Sequence, residues 1–534
     1  MKNPIKNIIK SLIVTLILGF IVFYITLPAI NIHAIEFYLF LLFIYVVFFA
    51  SLFFTELKEI LSMKNVTKIE FGKAGKIIVG VIPLVFVLII LVNLIESPLF
   101  NSKKYATRID VGTGKDFATE VKEVDFSKVP LLDKDSTTKI GDRVVGEMTD
   151  LVSQFYVSDL YSQINYDNKI ARVTPLEYDD LIKFFINRGD GIPYYVIVDS
   201  VSGEADLVKL DKGMKYLPSA YFNDNLYRKL RFSYPTVVFG DANFELDNDG
   251  KPFFIVPTIK YSGVELREEI DGVVILDPVT GDSKRYMVGE IPTWVDHVYS
   301  ASLIIEQFDD YGLYNGGFVN SIFGQKSVVA TTDGYNYVTM DDDVYLYTGV
   351  TSVSSDESNL GFILVNLRTK ETNYYLIPGA EEFSAMASAE GQVQQMSYNS
   401  TFPLLINLNG RATYMVSLKD NAGLVKMYGF IDVQDYQKVS VTDASLGIYK
   451  ARDNYLKLIG NKNTDKLQEI TIKSISSVII DGNTYYYLTD NNGDKYRVSI
   501  KVNEEVLPFI KPGDKVKVDF TSTNGFKEIH SLSI

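Results

Sequence analysis

The sequence predicts a membrane-anchored α+β protein: three transmembrane helices, tandem units of a helix plus an antiparallel hairpin, and a small C-terminal β-barrel. Three observations carry that prediction. Long charge-free apolar runs crowd the first hundred residues. An apolar strand ending in a polar turn recurs four times further on, and about five short alternating strands close the chain. The expected divisions are 1–100 for the anchor, 101–150 for a stalk with a short helix, 151–465 for the repeats and 466–534 for the barrel.

The apolar runs are Leu12–Ile32, Phe37–Phe54 and Ile77–Ile95. Each suffices to span a hydrocarbon core of about 30 Å at about 1.5 Å per residue. The first is too long for the roughly 7–15 apolar residues of a secretory signal, and no small-x-small cleavage site follows, so it reads as a retained helix. Lys2, Lys6 and Lys10 precede the first run, and Lys58, Lys64, Lys68, Lys73 and Lys76 lie between the second and third. The connection Asn31–Glu36 has neither Lys nor Arg. The positive-inside rule therefore puts the N-terminus in the cytoplasm and everything after about residue 97 outside the cytoplasmic membrane. Lys103, Lys104 and Arg108 run against that orientation and are outnumbered. No ionisable residue lies within the three apolar cores, so they read as an anchor rather than a transporter or channel.

The first hundred residues carry eight Lys and five Glu, net +3, which leaves −17 on the remainder of a chain whose net charge is −14. Such a domain repels phosphate backbones, so nucleic acid is not an expected partner. The absence of cysteine removes disulfides, thiolate nucleophiles and Cys-bound metals. His33, His297 and His530 share no metal-ligand spacing, and no Walker loop, G-x-S-x-G elbow or dinucleotide fingerprint occurs. No catalytic residue, metal site or cofactor is expected.

Four segments define the repeat: YYVIVDSVSGE (194–204), GVVILDPVTGD (272–282), GFILVNLRTKE (361–371) and GFIDVQDYQKV (429–439). Their expected turn residues are Asp199, Asp277, Asn366 and Gln434, spaced 78, 89 and 68 apart. That irregularity suits duplicated small units with variable loops rather than a solenoid or propeller of fixed period. Helices are expected over Pro175–Asn187, Ser219–Leu230 and Trp294–Phe308, with a short one near Ser136–Ile140. The pattern [VL]-D-x-x-[ST]-G-[ED] in Val198–Glu204 and Leu276–Asp282 resembles the PepSY domain. That resemblance implies an extracytoplasmic module that binds or inhibits peptidases, or regulates envelope enzymes.

Toward the C-terminus, strands Ile470–Ile480 and Thr484–Thr489 are joined by Asp481-Gly482-Asn483. Tyr496–Val502, Val516–Phe520 and Ile529–Ile534 follow, with an IKPGD turn at 510–514. This arrangement resembles an OB-fold. Of Tyr485, Tyr486 and Tyr487 at least one must face the barrel core. A broader resemblance rests on VPLLDKDSTTKIGDRVVGE (129–147), VTPLEYDDLIKFF (173–185), WVDHVY (294–299), GGFVNSIFGQ (316–325) and DDVYLYTGVTSV (342–353). These stretches are similar to a family of clostridial-type membrane-anchored proteins, which implies topology and source and brings no assigned activity.

Glu245–Gly250 resembles half of a calcium loop, but Val256 stands where the closing Glu is needed, so it reads as a hairpin turn. Asp309-Asp310 and Asp341-Asp342-Asp343 read as solvated turns. The expected partner-binding surface combines Trp294 with Tyr314, Gly316, Gly317, Phe318 and Phe323, where free backbone adjoins aromatic side chains. The function expected is non-enzymatic: an envelope binding or scaffold protein that presents or restrains a partner protein such as a peptidase. The alternatives are a carboxylate-dependent cell-wall or glycan-processing enzyme, and a structural subunit of a membrane complex.

Overall fold

A computed structural model describes residues 4–61, 73–167, 169–340, 343–353, 358–460, 467–480, 483–523 and 526–534. Lys64 and Lys68 of the predicted cytoplasmic loop, Asp341-Asp342, and Asp481-Gly482 of the barrel turn lie outside the described residues.

The apolar runs form α1 (Pro4–Thr26), α2 (Ile35–Leu61) and α3 (Lys73–Glu96). Within α1 and α2, the stretches Ile5–Thr26 and Ile35–Phe54 are long and apolar enough to cross a bilayer, and together they fit a membrane anchor. α3 runs on through Pro83 and meets α4 (Pro98–Ala106) across a 50° bend, so it counts as a further crossing only if this bent pair is one span. The α1–α2 connection and the C-terminal end of α3 touch the same side of the following domain. His33 Nδ1 lies 2.7 Å from the Gly263 carbonyl, Asn93 Nδ2 donates to the Val264 carbonyl at 3.1 Å, and Arg231 Nε donates to the Leu27 carbonyl at 2.9 Å.

Beyond the anchor one unit is built four times: a helix, then a four-stranded antiparallel meander. The first has α5 (Lys134–Gly146), β1 (Ser162–Tyr166), β2 (Lys169–Tyr178), β3 (Ile192–Asp199) and β4 (Ala205–Met214), with an extra helix, α6 (Leu181–Asn187), between β2 and β3. The second has α7 (Leu226–Ser233), β5 (Asn243–Leu246), β6 (Pro252–Lys260), β7 (Glu269–Leu276) and β8 (Ser283–Met287). The third has α8 (Ala301–Tyr314), β9 (Asn336–Met340), β10 (Asp343–Ser352), β11 (Ser358–Asn366) and β12 (Thr372–Tyr375). The fourth has α9 (Glu382–Gln392), β13 (Leu404–Leu408), β14 (Arg411–Lys419), β15 (Val425–Asp432) and β16 (Val439–Asp443).

The same turn closes the third strand of every unit. Asp199, Asp277, Asn366 and Asp432 each accept, through Oδ1, from the amides two and three residues ahead. This Asx geometry fixes the reversal without requiring a particular residue elsewhere in the turn. In the fourth unit the turn residue is therefore Asp432 and not Gln434, whose own amide is one of the two donors. The carbonyl following each Asx residue (Ser200, Pro278, Leu367 and Val433) accepts from backbone amides of the segment leading into that unit's helix. The helix is thereby tied to its own meander.

Hydrophobic cores lie between consecutive units: first with second, second with third, third with fourth. The fourth packs against Phe126, Val129 and Leu131, just ahead of α5, with Val201 of the first unit at its margin. Asn407 Nδ2 donates to the Val121 carbonyl at 2.6 Å and Ser417 Oγ to the Leu131 carbonyl at 2.9 Å, which joins the last unit to the segment that opens the first. The four meanders thus stand around a centre like blades of a small propeller. The uneven sequence spacing, which speaks against a propeller, arises in the connections between meanders. The four-stranded meander is common to all four sheets, although the third sheet carries more added strands than the others.

Three expected helices shift. Pro175–Tyr178 belongs to β2, where Pro175 opposes Tyr195, because residues 170–178 are buried without interruption and fit a sheet covered on both faces. The second helix starts only at Leu226, where the Asn225 side chain accepts from the Arg228 amide. The third starts at Ala301, capped by Ser300, so Trp294 and His297 lie in an irregular segment ahead of it.

The last helix, α10 (Ile448–Leu458), leads into β17 (Gln468–Ile480), β18 (Asn483–Asp490), β19 (Lys495–Ser499), β20 (Lys515–Thr523) and β21 (Phe526–Ser533). They close a barrel in the order β17-β18-β19-β21-β20, with β19 and β21 parallel, an arrangement consistent with an OB-like fold. Tyr486 packs toward the barrel core. The barrel docks on α10 through Arg452–Asp519 at 2.9 Å and a stack of Tyr449 on His530, ring centroids 3.6 Å apart. Burial pushes the His530 imidazole down to about 4 from its ordinary 6.5, with Asp519 and Asp125 opposing and Arg452 adding to the shift. The folded chain therefore holds the ring neutral where an unfolded chain takes up a proton, and stability is lost as pH falls from 6.5 toward 4. Protection factors of barrel amides, taken relative to the intrinsic exchange rate at each pH, should fall across that window, and His530→Phe, which keeps the stack, should flatten the dependence. An unchanged slope in the variant would assign the effect to other groups.

Candidate functional site

The first strand of every unit faces a central cavity of about 420 Å³. Ser162 and Gln163 of β1, Asn243 of β5, Asn336 and Tyr337 of β9 and Leu404 of β13 line it, joined by Arg172 of β2, Tyr161 and His297. Antiparallel register sets Gln163 directly opposite Arg172, and Arg172 Nη2 donates to Gln163 Oε1 at 3.0 Å. Arg172 is only 7 % exposed and Gln163 2 %. The Arg172 Nε, the Gln163 Nε2 and the Tyr161 hydroxyl have no hydrogen-bond partner among the described residues.

Arg172 makes no ion pair among the described residues, and Asp133 and Asp135 act on it only from a distance. Burial pulls its guanidinium down to about 10. A buried cation is costly unless paired, so this one is positioned for a negative group that the chain itself does not supply. Asp133, at the rim, is already taken: it caps α5 through the Ser136 amide at 3.0 Å and pairs with Lys419.

His297 is held by a carboxylate with no exposed surface. Glu245 accepts from the Asp296 amide at 2.8 Å, the His297 amide at 2.9 Å and His297 Nδ1 at 3.1 Å. The ring is thereby oriented, edge-on to Tyr337 with centroids 6.0 Å apart. Its Nε2 has no protein partner among the described residues. Burial raises the Tyr337 phenol, so it stays a neutral donor. The cavity therefore sets the buried Arg172 among neutral polar groups, with Asp133, Lys134 and Asp135 also in its lining. With Asp133 already paired to Lys419, the interior cation and its polar neighbours are a set that can bind and orient an anion.

The residues expected to form a binding surface separate into two places. Trp294 lies ahead of α8 and packs on Phe253, centroids 5.3 Å apart. Tyr314 ends that helix and Gly316, Gly317, Phe318 and Phe323 follow it, so the 14 residues of α8, about 21 Å long at 1.5 Å per residue, intervene in the chain between them and Trp294. Tyr314 meets Tyr105 of α4, and Phe323 projects into solvent.

The acidic clusters have structural partners, which corrects their reading as solvated turns. Asp309 and Asp310 lie on α8: Asp309 accepts from the Thr331 amide at 2.7 Å, and Asp310 pairs with the buried Arg108. Burial raises both carboxyls, and Arg108 opposes this at Asp310. Asp343 pairs with Arg368 at 2.7 Å. Asp247 takes the Asp249 and Lys251 amides at 3.0 and 2.9 Å, the hairpin turn expected there.

No family model and no curated protein matches the chain. Among solved structures, a mutant of the apocarotenoid oxygenase of Synechocystis aligns with 53 % of this chain at 8 % identity and a TM-score of 0.13. The alignment covers 49 % of that protein's length, and a likeness so faint informs neither fold nor function here.

Proposed function

We propose that the chain is a non-enzymatic, membrane-anchored binding protein whose ring of four units holds an acidic peptide segment of a partner protein in the central cavity. The buried Arg172 guanidinium, without an ion-pair partner among the described residues, supports this reading most strongly. The cavity's volume falls in the roughly 300–1,000 Å³ range of small-ligand sites. Such a space admits an acidic side chain or chain terminus with its neighbours. PepSY-like turn chemistry in the first two units favours the same class, a module that restrains or presents an envelope peptidase. Lysine placement favours an N-terminus inside the cytoplasmic membrane and a domain outside it, after about residue 97. Docking of the α1–α2 connection on that domain agrees with an odd number of crossings.

The test is thermal unfolding of the detergent-solubilised full chain with a pool of acidic tripeptides, compared with the same pool with its carboxyls amidated. The acidic pool should raise the midpoint of the native chain and leave Arg172→Gln unmoved, and the amidated pool should move neither. No shift with the acidic pool, or an equal shift in the variant, would remove the reading.

A further inference from the structure

The side of the domain nearest α1 and α3 carries two apolar projections that no part of the described chain covers. The first is α6. Its Phe184 is fully buried in the core, while Ile182 and Ile186, each 67 % exposed, and Phe185 face solvent. Phe185 meets the exposed Phe222 with centroids 5.9 Å apart. Next to Phe222, Asn223 accepts from the Tyr24 hydroxyl at 3.2 Å, and Phe232 packs on Phe23 at 5.7 Å. This places α6 and Phe222 beside the last turn of α1.

The second projection follows α8. Arg108 bonds Glu306 and Asp310, and Tyr105 meets Tyr314, so α8 runs antiparallel to α4. Continuing past Tyr314 leads toward the start of α4, one residue beyond α3. Val319 and Phe323, 70 % and 84 % exposed, follow that end of α8, and Leu99 and Phe100 at the start of α4 are exposed as well. Exposed apolar side chains gathered at two points, both continuous with membrane helices, indicate an apolar neighbour.

We propose that these two projections are membrane wedges: α6 with Phe222, and the Val319–Phe323 turn with Phe100, insert into the interfacial layer of the leaflet that the domain faces. Aromatic and aliphatic side chains are stable at that depth, about 5–10 Å into the headgroup boundary. Lys183 and Arg188 flank the first wedge and Lys103 and Lys104 the second, where lipid phosphates can receive them. With α1 and α3, the wedges hold the domain at a fixed height and tilt. This inference rests on the anchor reading and is independent of the cavity.

The test uses tryptophan as a depth probe. Trp294, the one native tryptophan, is replaced by Phe, and single tryptophans are placed at exposed positions: Phe20→Trp on α1, Ile186→Trp and Phe323→Trp on the wedges, and Phe509→Trp on the barrel. Each full chain is reconstituted in phosphatidylcholine–phosphatidylglycerol vesicles, with and without phosphatidylcholine brominated near the headgroup end of one acyl chain. Bromine should quench positions 20, 186 and 323 and leave 509 bright. Quenching at 20 with unquenched 186 and 323 would overturn the wedges alone. Loss of quenching at 20 would overturn the anchor as well, and equal quenching at 509 would make the contact nonspecific and overturn the proposal.

Discussion

Arg108→Ala should lower the unfolding free energy by about 3–5 kcal/mol, the cost of removing one partner from a buried charge cluster. The guanidinium, with 2 % of its side chain exposed, donates to Glu306 at 2.7 Å and to the Glu268 carbonyl at 2.6 Å, and also pairs with Asp310 and Glu269. Lys370 reaches the same cluster, bonding the Arg108 carbonyl at 2.9 Å and Glu269 at 3.3 Å. The cluster joins α4, α8, β7 and the turn after β11, so its loss should loosen the anchor's grip on the second and third units. Arg188→Ala is the matched control: its 3.2 Å pair with Asp224 is partly open to solvent, far more than the Arg108 cluster, and should be worth less than about 1 kcal/mol. Denaturant unfolding of the solubilised chain separates the two. Equal small losses would show that the buried cluster contributes little.

The second large effect is expected at Glu245. Glu245→Leu removes the acceptor of two buried backbone amides and of His297 Nδ1, at about 1–3 kcal/mol for each donor left unpaired. Glu245→Gln keeps one acceptor oxygen and should recover most of the stability. Because the same carboxylate orients His297 at the cavity, Glu245→Leu should also abolish any response to acidic tripeptides. Calorimetry of both variants, with and without the peptide pool, reads the two effects separately. A Leu variant as stable as the native chain would mean that the segment 294–300 is held by packing alone.

These residues show how far the sequence can be read. The anchor is legible because bilayer thickness leaves its mark directly on composition. The hairpins are legible where Asp is followed at fixed distance by Ser-Gly or Thr-Gly, as at Asp199 and Asp277. At Asp432 the turn has lost its glycine, and the eye moves two residues on to Gln434. The blade-like arrangement is hidden because sequence period records connection length, and the segments and helices ahead of each meander vary. Arg172 is hidden for a different reason. Its strand is buried on both faces, so it lacks alternation, and Pro175 with the helical spacing of 176–185 suggests a helix start. The one signal is a charged residue inside the apolar run KIARVTPL. Trp294 and Tyr314 illustrate the converse, since neighbours in composition end up at opposite ends of one helix.

The cavity's purpose is decided most directly by the sign of one stability change. Arg172→Met exchanges a buried, unpaired guanidinium for an apolar side chain of similar length. If Arg172 is held for a ligand's carboxylate, the ligand-free full chain should become more stable, by about 1–4 kcal/mol, as buried charge is removed. If the variant instead unfolds more easily than the native chain, Arg172 serves the fold through Gln163, and the cavity is not the anion site described.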